Sequence, residues 1–134
     1  MIQFAPDHLE IERRVEARGL HDRVLLLGQV DEELLRMLYA GSDLFLMPNI
    51  PVEGDIEGFG VVMLEAGASG LPVVAADLEG IKDVIAEGNN GRLVESGDAA
   101  GFVAAIDGYR DAEARSAASE RATRYVHETF GLSA

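Results

Sequence analysis

Short runs rich in apolar residues alternate along the chain with longer segments of helical pattern. A continuous apolar run is typical of a strand in a parallel sheet, because such a strand is buried on both faces. Parallel neighbours need a crossover between them, which is usually a helix. The alternation therefore predicts a Rossmann-like α/β/α domain with a mainly parallel sheet, and it places the strands at residues 24–28, 43–48, 72–77 and 92–94.

The segments between these runs carry helix start and stop signals. Asp31 precedes a segment with Glu32 and Glu33 in its first turn, where acidic side chains interact favourably with the helix dipole. Gly19 ends an amphipathic segment that begins at His8. Helices are predicted at residues 8–19, 31–39, 61–68, 81–86, 99–109 and 112–129.

Length, charge and cysteine content limit the classes of function. A chain of 134 residues fits one domain, predicted to cover residues 1–134. With 11 Lys and Arg against 24 Asp and Glu, its formal charge of -13 disfavours nucleic acid and an anionic membrane surface as partners. The sequence holds no cysteine, no signal-peptide pattern and no apolar run that could form a transmembrane segment. A cytoplasmic location is therefore the expectation.

A glycine turn followed by an apolar helix is the first candidate site. The loop at residues 49–60 follows the second predicted strand, and ligands of parallel α/β sheets bind beyond the carboxyl ends of strands. Backbone N–H groups of Gly58, Gly60 and Val61, with the helix dipole, would form an anion site, most simply for a phosphate. Gly58-x-Gly60 is not a dinucleotide fingerprint, because Met63 takes the third glycine position, and no P-loop occurs.

Two glutamates frame this segment, Glu57 in the loop before the helix and Glu65 inside it. A carboxylate in an otherwise apolar helix is costly unless something pairs with it. Glu65 is suitably placed behind a phosphate site to accept hydrogen bonds from ribose hydroxyls, and Glu57 to face a sugar or a developing positive charge. The spacing alone leaves another reading open for each residue. Glu65 could be a buried acid whose carboxylate is paired with backbone groups or an arginine, and Glu57 could be a solvated acid in a loop.

Five motifs occur in a fixed order with fixed spacing and together cover most of the chain. They are Arg23-Val24-x-x-Leu27-Gly28, Asp43-Leu44-Phe45-Leu46-Met47-Pro48, Glu57-Gly58-Phe59-Gly60-x-x-x-Leu64-Glu65-Ala66-x-Ala68-x-Gly70-x-Pro72-Val73-Val74-Ala75, Gly80-Ile81-x-Asp83-Val84 and Asn90-Gly91-Arg92-Leu93-Val94. This series closely resembles the C-terminal half of the retaining glycosyltransferases of family four, also called group-one glycosyl transferases. The resemblance implies half of a GT-B enzyme, whose C-terminal domain binds a nucleotide-sugar donor and whose N-terminal domain mostly binds the acceptor.

The resemblance also implies roles for the two glutamates. Glu57 would be the catalytic-site residue that binds the hydroxyls of the donor sugar, in an orienting and not a nucleophilic role. Glu65 would hold the ribose. Transfer in the intact enzyme would retain the anomeric configuration.

Backbone groups would complete the substrate site by the same resemblance. The backbone amides of Phe59, Gly60 and Val61, in the turn that Gly58 opens, would donate hydrogen bonds to the sugar and the diphosphate. The backbone from Gly28 to Val30 would lie near the base.

The partners implied are a UDP- or GDP-sugar and the N-terminal acceptor domain, with no metal or other cofactor. His8, His21 and His127 are far apart in sequence and are expected at the surface. The intact enzyme is expected in the cytoplasm or at the inner face of a membrane, in polysaccharide or glycolipid synthesis. The apolar stripe of the last helix predicts a packing surface for the N-terminal domain, for a second copy in a dimer or, most simply, for the chain's own sheet.

The chain departs from the family pattern in several places. The family's diphosphate-binding cations lie upstream of the matched residues, and a first strand with its glycine loop is expected to be missing. The fragment alone is therefore expected to be inactive. Glu79-Gly80 stands where two glycines are common, and Asp83 where glutamate is usual. Gly67 stands where methionine is common. A glycine in a helix is about 1 kcal/mol less favourable than alanine, and we attribute the presence of this one to packing.

Two alternatives stay open at the level of sequence. A GT-B-type sugar-nucleotide epimerase domain is compatible with the glutamate spacing. A non-catalytic receiver-like α/β module has a similar size and acidity, but the single lysine, Lys82, is in the wrong context for one.

Overall fold

The computed structural model describes residues 8–48, 57–78 and 81–131, and for His8 and residues 57–60 it describes the backbone alone. The predictions for the loop at residues 49–56 and for Glu79-Gly80 lie outside the described residues. The regular elements are, in chain order, α1 (His8–Ala17), α2 (Glu32–Gly41), β1 (Phe45–Met47), α3 (Glu57–Ala68), β2 (Val73–Ala76), β3 (Gly91–Val94), α4 (Ala99–Asp107) and α5 (Ala112–Phe130).

The chain forms two compact units, Met1–Leu38 and Tyr39–Ala134. In the first unit α1 is followed by a turn at Gly19, whose φ of +63° is in the left-handed region that glycine adopts without steric cost. The Asp31 carboxylate accepts a hydrogen bond from the Leu34 N–H at 2.8 Å and so caps α2, as the sequence predicts. Asp98 and Asp111 cap α4 and α5 of the second unit in the same way.

A three-stranded parallel sheet with the order β1-β2-β3 lies at the centre of the second unit. All four residues of β2 are 0% exposed. Because successive side chains of a strand point to opposite faces, this complete burial means that both faces of the sheet are covered at β2. The prediction of a mainly parallel, doubly covered sheet is confirmed.

Helices pack on this sheet and on one another. On one face Val74 and Val94 pack against Ala105 of α4, with Phe102 and Tyr109 beside them. Helix α3 crosses from β1 to β2 and packs on α5.

The apolar stripe of the last helix is used within this same unit. Ala118, Ala122 and Val126 of α5 are buried, whereas Ala114 and Ala117 are exposed. An ideal Cβ at Gly67 of α3 would lie 2.7 Å from Val126 Cγ2, so the stripe packs against α3.

The Asn90-Gly91 motif joins the third strand to the sheet. The buried Asn90 side chain accepts from the Ala86 N–H at 2.8 Å and donates to the Val84 carbonyl at 2.9 Å. Next to it, an ideal Cβ at Gly91 would lie 2.1 Å from the Val73 carbonyl oxygen. Only glycine allows the two strands to approach this closely, so this motif has a structural explanation.

Residues 24–28 were predicted as a strand, and that prediction is wrong. They form no strand in the described structure, and the Leu25 side chain is 73% exposed. An apolar run expresses a preference for burial, but a strand exists only where a neighbouring strand supplies ladder hydrogen bonds.

The helix predicted at residues 81–86 is also replaced, in this case by turns. The Ile85 N–H donates to the Ile81 carbonyl, but the Ala86 N–H is bound by Asn90 instead. The Asn90 side chain thus takes the donor that would have continued the helix. Ile81 and Ile85 are still fully buried, as their apolar character predicts.

Among the described residues, no helix combines the length and the apolar character needed to cross a bilayer. The single-domain assignment of residues 1–134 stays a prediction.

We predict that Gly67→Ala lowers the free energy of unfolding by about 1 kcal/mol. Overpacking costs about 1–3 kcal/mol, and the higher helix propensity of alanine returns up to about 1 kcal/mol of it. The β-branched Val126 side chain is stiff and fully buried, so it cannot easily move away from the new methyl group. Urea denaturation of both proteins measures the difference.

Gly41→Ala is the matched control, because a Cβ there meets nothing within 4 Å. The double variant Gly67→Ala with Val126→Ala should lose less stability than the sum of the two single variants. If Gly67→Ala is as stable as the wild type, the packing explanation is wrong.

Candidate functional site

The candidate site lies at the carboxyl edge of the sheet, where α3 begins. All three strands are parallel, so their carboxyl ends lie at the same edge. Helix α3 follows β1 in the chain and returns to the start of β2, which places its N-terminus at this edge. A helix N-terminus carries a partial positive charge and free N–H groups, and both favour an anion.

Glu57 is the first residue of α3, one position inside the helix and not in the loop before it. Gly58, Phe59 and Gly60 complete the first turn, whose N–H groups have no intrahelical partner in a regular helix. Val61 is the fifth residue, at the position where intrahelical pairing begins, and its side chain is exposed. The involvement of all these residues in ligand binding stays a prediction.

The two glutamates lie on one continuous helix, eight positions apart. At 1.5 Å and 100° per residue they are separated by about 12 Å along the axis and by about 80° around it. Glu57 and Glu65 are therefore too far apart to bind the same chemical group.

Glu65 is exposed on α3 and is not the buried acid of the alternative reading. Its Oε2 atom lies 3.5 Å from the hydroxyl oxygen of Tyr39, which donates to it. This distance is at the long end of hydrogen-bond geometry. Because the Glu65 residue is exposed, water can solvate its carboxylate, and the contact with the tyrosine is not needed to offset a burial cost.

Tyr39 is buried at 5% exposure in the last turn of α2. Its ring lies 6.2 Å from that of Phe45, at an interplanar angle of 51°. Burial first, and then the charge of Glu65 and the hydrogen bond to it, raise the pKa of Tyr39 to about 12. The phenol therefore stays protonated and able to donate at any physiological pH.

Gly28 and Val30, predicted near the base, lie in the unit Met1–Leu38. Gly28 has a φ of +65°, so the chain turns there through a left-handed conformation just after the apolar run. Both residues are half-buried. Their role near a base stays a prediction.

The other ionisable side chains singled out in the sequence are at the surface wherever the structure describes them. His21 and His127 are exposed, as predicted, and the side chain of His8 lies outside the description. Lys82 Nζ lies 3.4 Å from the Asp77 carboxylate just beyond the carboxyl end of β2, and Asp83 is exposed. The described residues include no cluster of three or more histidines and carboxylates that could hold a metal ion.

A partly open cavity of about 160 Å³ lies at the other end of the sheet. It is lined by Pro72 before β2, Gly91 at the start of β3, and Arg92, Tyr109 and Arg121. Arg92 is already paired with Glu87 at 2.9 Å. Because this cavity is at the amino ends of the strands, it is remote from the edge at which α/β sheets bind their ligands.

Sequence reasoning did not single out Tyr39. The residue precedes Glu65 by 26 positions, so no local motif joins them. One signal was present: a tyrosine on the apolar side of a helix needs a partner for its hydroxyl once it is buried.

Comparison with known families gives one match over most of the chain. The family described as glycosyl transferases group 1 matches residues 5–110. Phosphatidyl-myo-inositol mannosyltransferase of Mycolicibacterium smegmatis is 37% identical over 119 residues, which are 88% of this chain and 30% of that protein. N-acetyl-alpha-D-glucosaminyl L-malate synthase of Bacillus anthracis is 38% identical over 133 residues, which are 97% of this chain and 32% of that protein.

Solved structures also match over most of this chain. Sucrose-phosphate synthase from Thermosynechococcus elongatus superposes with a TM-score of 0.79 at 25% identity, over 96% of this chain and 33% of that one. Anabaena Alr3699/HepE in complex with UDP superposes with a TM-score of 0.73 at 25% identity, over 91% of this chain and 32% of that one. The chain thus spans about a third of the length of these relatives.

We predict that Glu65→Gln lowers the pKa of Tyr39 from its value of about 12. The substitution removes the negative charge that opposes ionisation of the phenol, while burial remains. NMR of tyrosine labelled at the ring carbons, followed through an alkaline titration, measures this pKa. Tyr109, whose pKa is raised chiefly by burial, is the internal control and should not shift.

The same pKa has a consequence for stability. Tyr39 ionises less readily in the folded protein than in the unfolded chain, whose tyrosine pKa is about 10. The contribution of Tyr39 to the free energy of unfolding is therefore complete below about pH 10 and is lost as the pH rises through about 12.

An unchanged Tyr39 pKa in Glu65→Gln would contradict the pairing of Tyr39 with Glu65.

Proposed function

The chain belongs to the group 1 glycosyl transferases, and we propose that it forms the donor-binding part of a retaining enzyme that transfers a sugar from a nucleoside-diphosphate sugar to a glycan or lipid acceptor. The observation that carries this proposal is the Glu57 to Glu65 segment, intact in one helix whose N-terminus lies at the carboxyl edge of a parallel sheet. The relative in complex with UDP supports a nucleotide-sugar donor. Family membership favours a transferase over the epimerase and receiver alternatives.

Each part of the segment has a distinct task in this proposal. The N–H groups of Gly58, Phe59 and Gly60, with the helix dipole, bind the diphosphate. Glu57 binds hydroxyls of the donor sugar and orients it, and Glu65 binds the ribose. The helix geometry supports this division, because the backbone positions of the two residues are about 12 Å apart along the axis.

We propose that the base lies near the backbone from Gly28 to Val30. Left-handed backbone at Gly28 supports a close approach there, because no Cβ obstructs it. Donor binding is proposed to need no metal ion.

The matched relatives are about three times as long as this chain, so acceptor binding is assigned to residues outside it. The isolated chain is proposed to bind the donor without transferring its sugar. A relative named for mannosyl transfer to phosphatidyl-myo-inositol supports a lipid acceptor, and with it a cytoplasmic enzyme acting at the inner face of a membrane. Fractionation of cells that express the intact enzyme tests this location.

We predict that UDP or GDP shifts the backbone NMR signals of the first turn of α3, and that Glu65→Ala weakens this binding about tenfold. The loss corresponds to removing hydrogen bonds from hydroxyls to a charged acceptor. Glu65 is exposed, so its removal should leave the fold intact. Glu120→Ala on α5, another exposed helical glutamate, is the matched control.

Repeating the titration with EDTA tests the independence from metal. If neither nucleotide shifts any signal, or if Glu65→Ala binds as well as the wild type, the site assignment fails.

A further inference from the structure

The hydroxyl of the buried residue Tyr39 contacts the carboxylate of the exposed residue Glu65. Tyr39 lies on α2 and Glu65 on α3, and the tyrosine hydroxyl donates to Glu65 Oε2 at 3.5 Å. We propose that Tyr39 is a positioning residue of the nucleotide site, whose hydroxyl holds the Glu65 carboxylate in the orientation that accepts hydrogen bonds from ribose. This inference rests on the proposed function, which assigns the ribose to Glu65.

The first step of the argument concerns freedom of motion. A glutamate on an exposed helix face samples several rotamers, and fixing it when a ligand binds costs side-chain entropy. A protein that fixes the side chain before binding avoids that loss at the moment of binding. Tyr39 is suited to this task, because its own ring is immobilised by burial and by the Phe45 ring.

The second step concerns hydrogen-bonding capacity. An ionised carboxylate has about four acceptor positions on two oxygens. The tyrosine takes one of them on Oε2 and leaves Oε1 and the remaining positions for a ligand. A vicinal pair of ribose hydroxyls presents two donors, which one oriented carboxylate can accept.

The third step concerns the state of the phenol. A tyrosine that ionised near neutral pH would repel the carboxylate. A tyrosine of ordinary pKa, about 10, is already protonated at physiological pH. Burial and the Glu65 charge raise the pKa of Tyr39 further, to about 12, so the hydroxyl remains a donor over the physiological range. The pair is thus stable as a neutral donor and a charged acceptor.

Tyr39→Phe tests the inference, because it removes the hydroxyl and keeps the ring. The ligand is UDP or GDP, whichever the wild type binds, compared with the 2′,3′-dideoxy form of the same nucleotide. We expect Tyr39→Phe to weaken binding of the ribonucleotide about threefold to tenfold and to leave binding of the dideoxy form unchanged. The preference for ribose over dideoxyribose therefore falls by the same factor.

Two further proteins separate positioning from a merely structural role. In the Glu65→Ala background, Tyr39→Phe should cause no additional loss, because the group through which it acts is absent. Tyr125→Phe makes the same chemical change on α5, where Tyr125 packs edge-on against Phe130 with centroids 6.2 Å apart, and should bind like the wild type.

The possible results have different meanings. Equal weakening of the ribose and dideoxyribose ligands by Tyr39→Phe would show a general structural effect and overturn the inference. Wild-type affinity in Tyr39→Phe, with ribose-selective loss in Glu65→Ala, would overturn the inference and leave the proposed function standing. Absence of nucleotide binding by the wild type would overturn both.

Discussion

The burial of β2 on both faces is the constraint on which the second unit depends. Each of its four side chains is fully buried, and it pairs in parallel with β1 on one side and β3 on the other. Parallel pairing forces every connection to cross over, so α3 has to start at the carboxyl edge after β1 and end before β2. The position of the candidate site is therefore a consequence of the parallel pairing of this buried central strand.

Sequence reasoning predicted the parts of the fold that depend on local pattern. Three predicted strands are present because each pairs with a neighbouring strand in the sheet: Phe45–Met47, Val73–Ala76 and Gly91–Val94. The run at 24–28 had an equally apolar pattern and formed no strand, since pairing depends on a partner that pattern does not specify. At residues 81–86 a side chain four positions beyond Ala86, that of Asn90, replaced a helical hydrogen bond, and helix propensity contains no information about such a contact.

The same distinction applies to the site. The pair Glu57 and Glu65 could be recognised in the sequence through the family motif, although Glu57 was expected in the loop before the helix and lies in its first turn. Tyr39 could not be, because its contact with Glu65 joins two helices through the tertiary fold. Gly67 is an intermediate case. The glycine itself is evident in the sequence, but the reason for it, the close approach of Val126 from α5, is evident only from the packing of α3 against α5.

The charge of the chain constrains the proposed binding of a diphosphate at the first turn of α3. A formal charge of -13 repels a diphosphate at long range, but at physiological ionic strength charges more than about 8 Å away are largely screened. Attraction must then come from nearby groups, and the first turn of α3 supplies N–H donors and the positive end of a helix dipole. Glu57 lies in that same turn and would repel a phosphate placed against it. It is compatible with a nucleotide-sugar only if its carboxylate meets the neutral, hydroxyl-rich sugar while the backbone meets the phosphates.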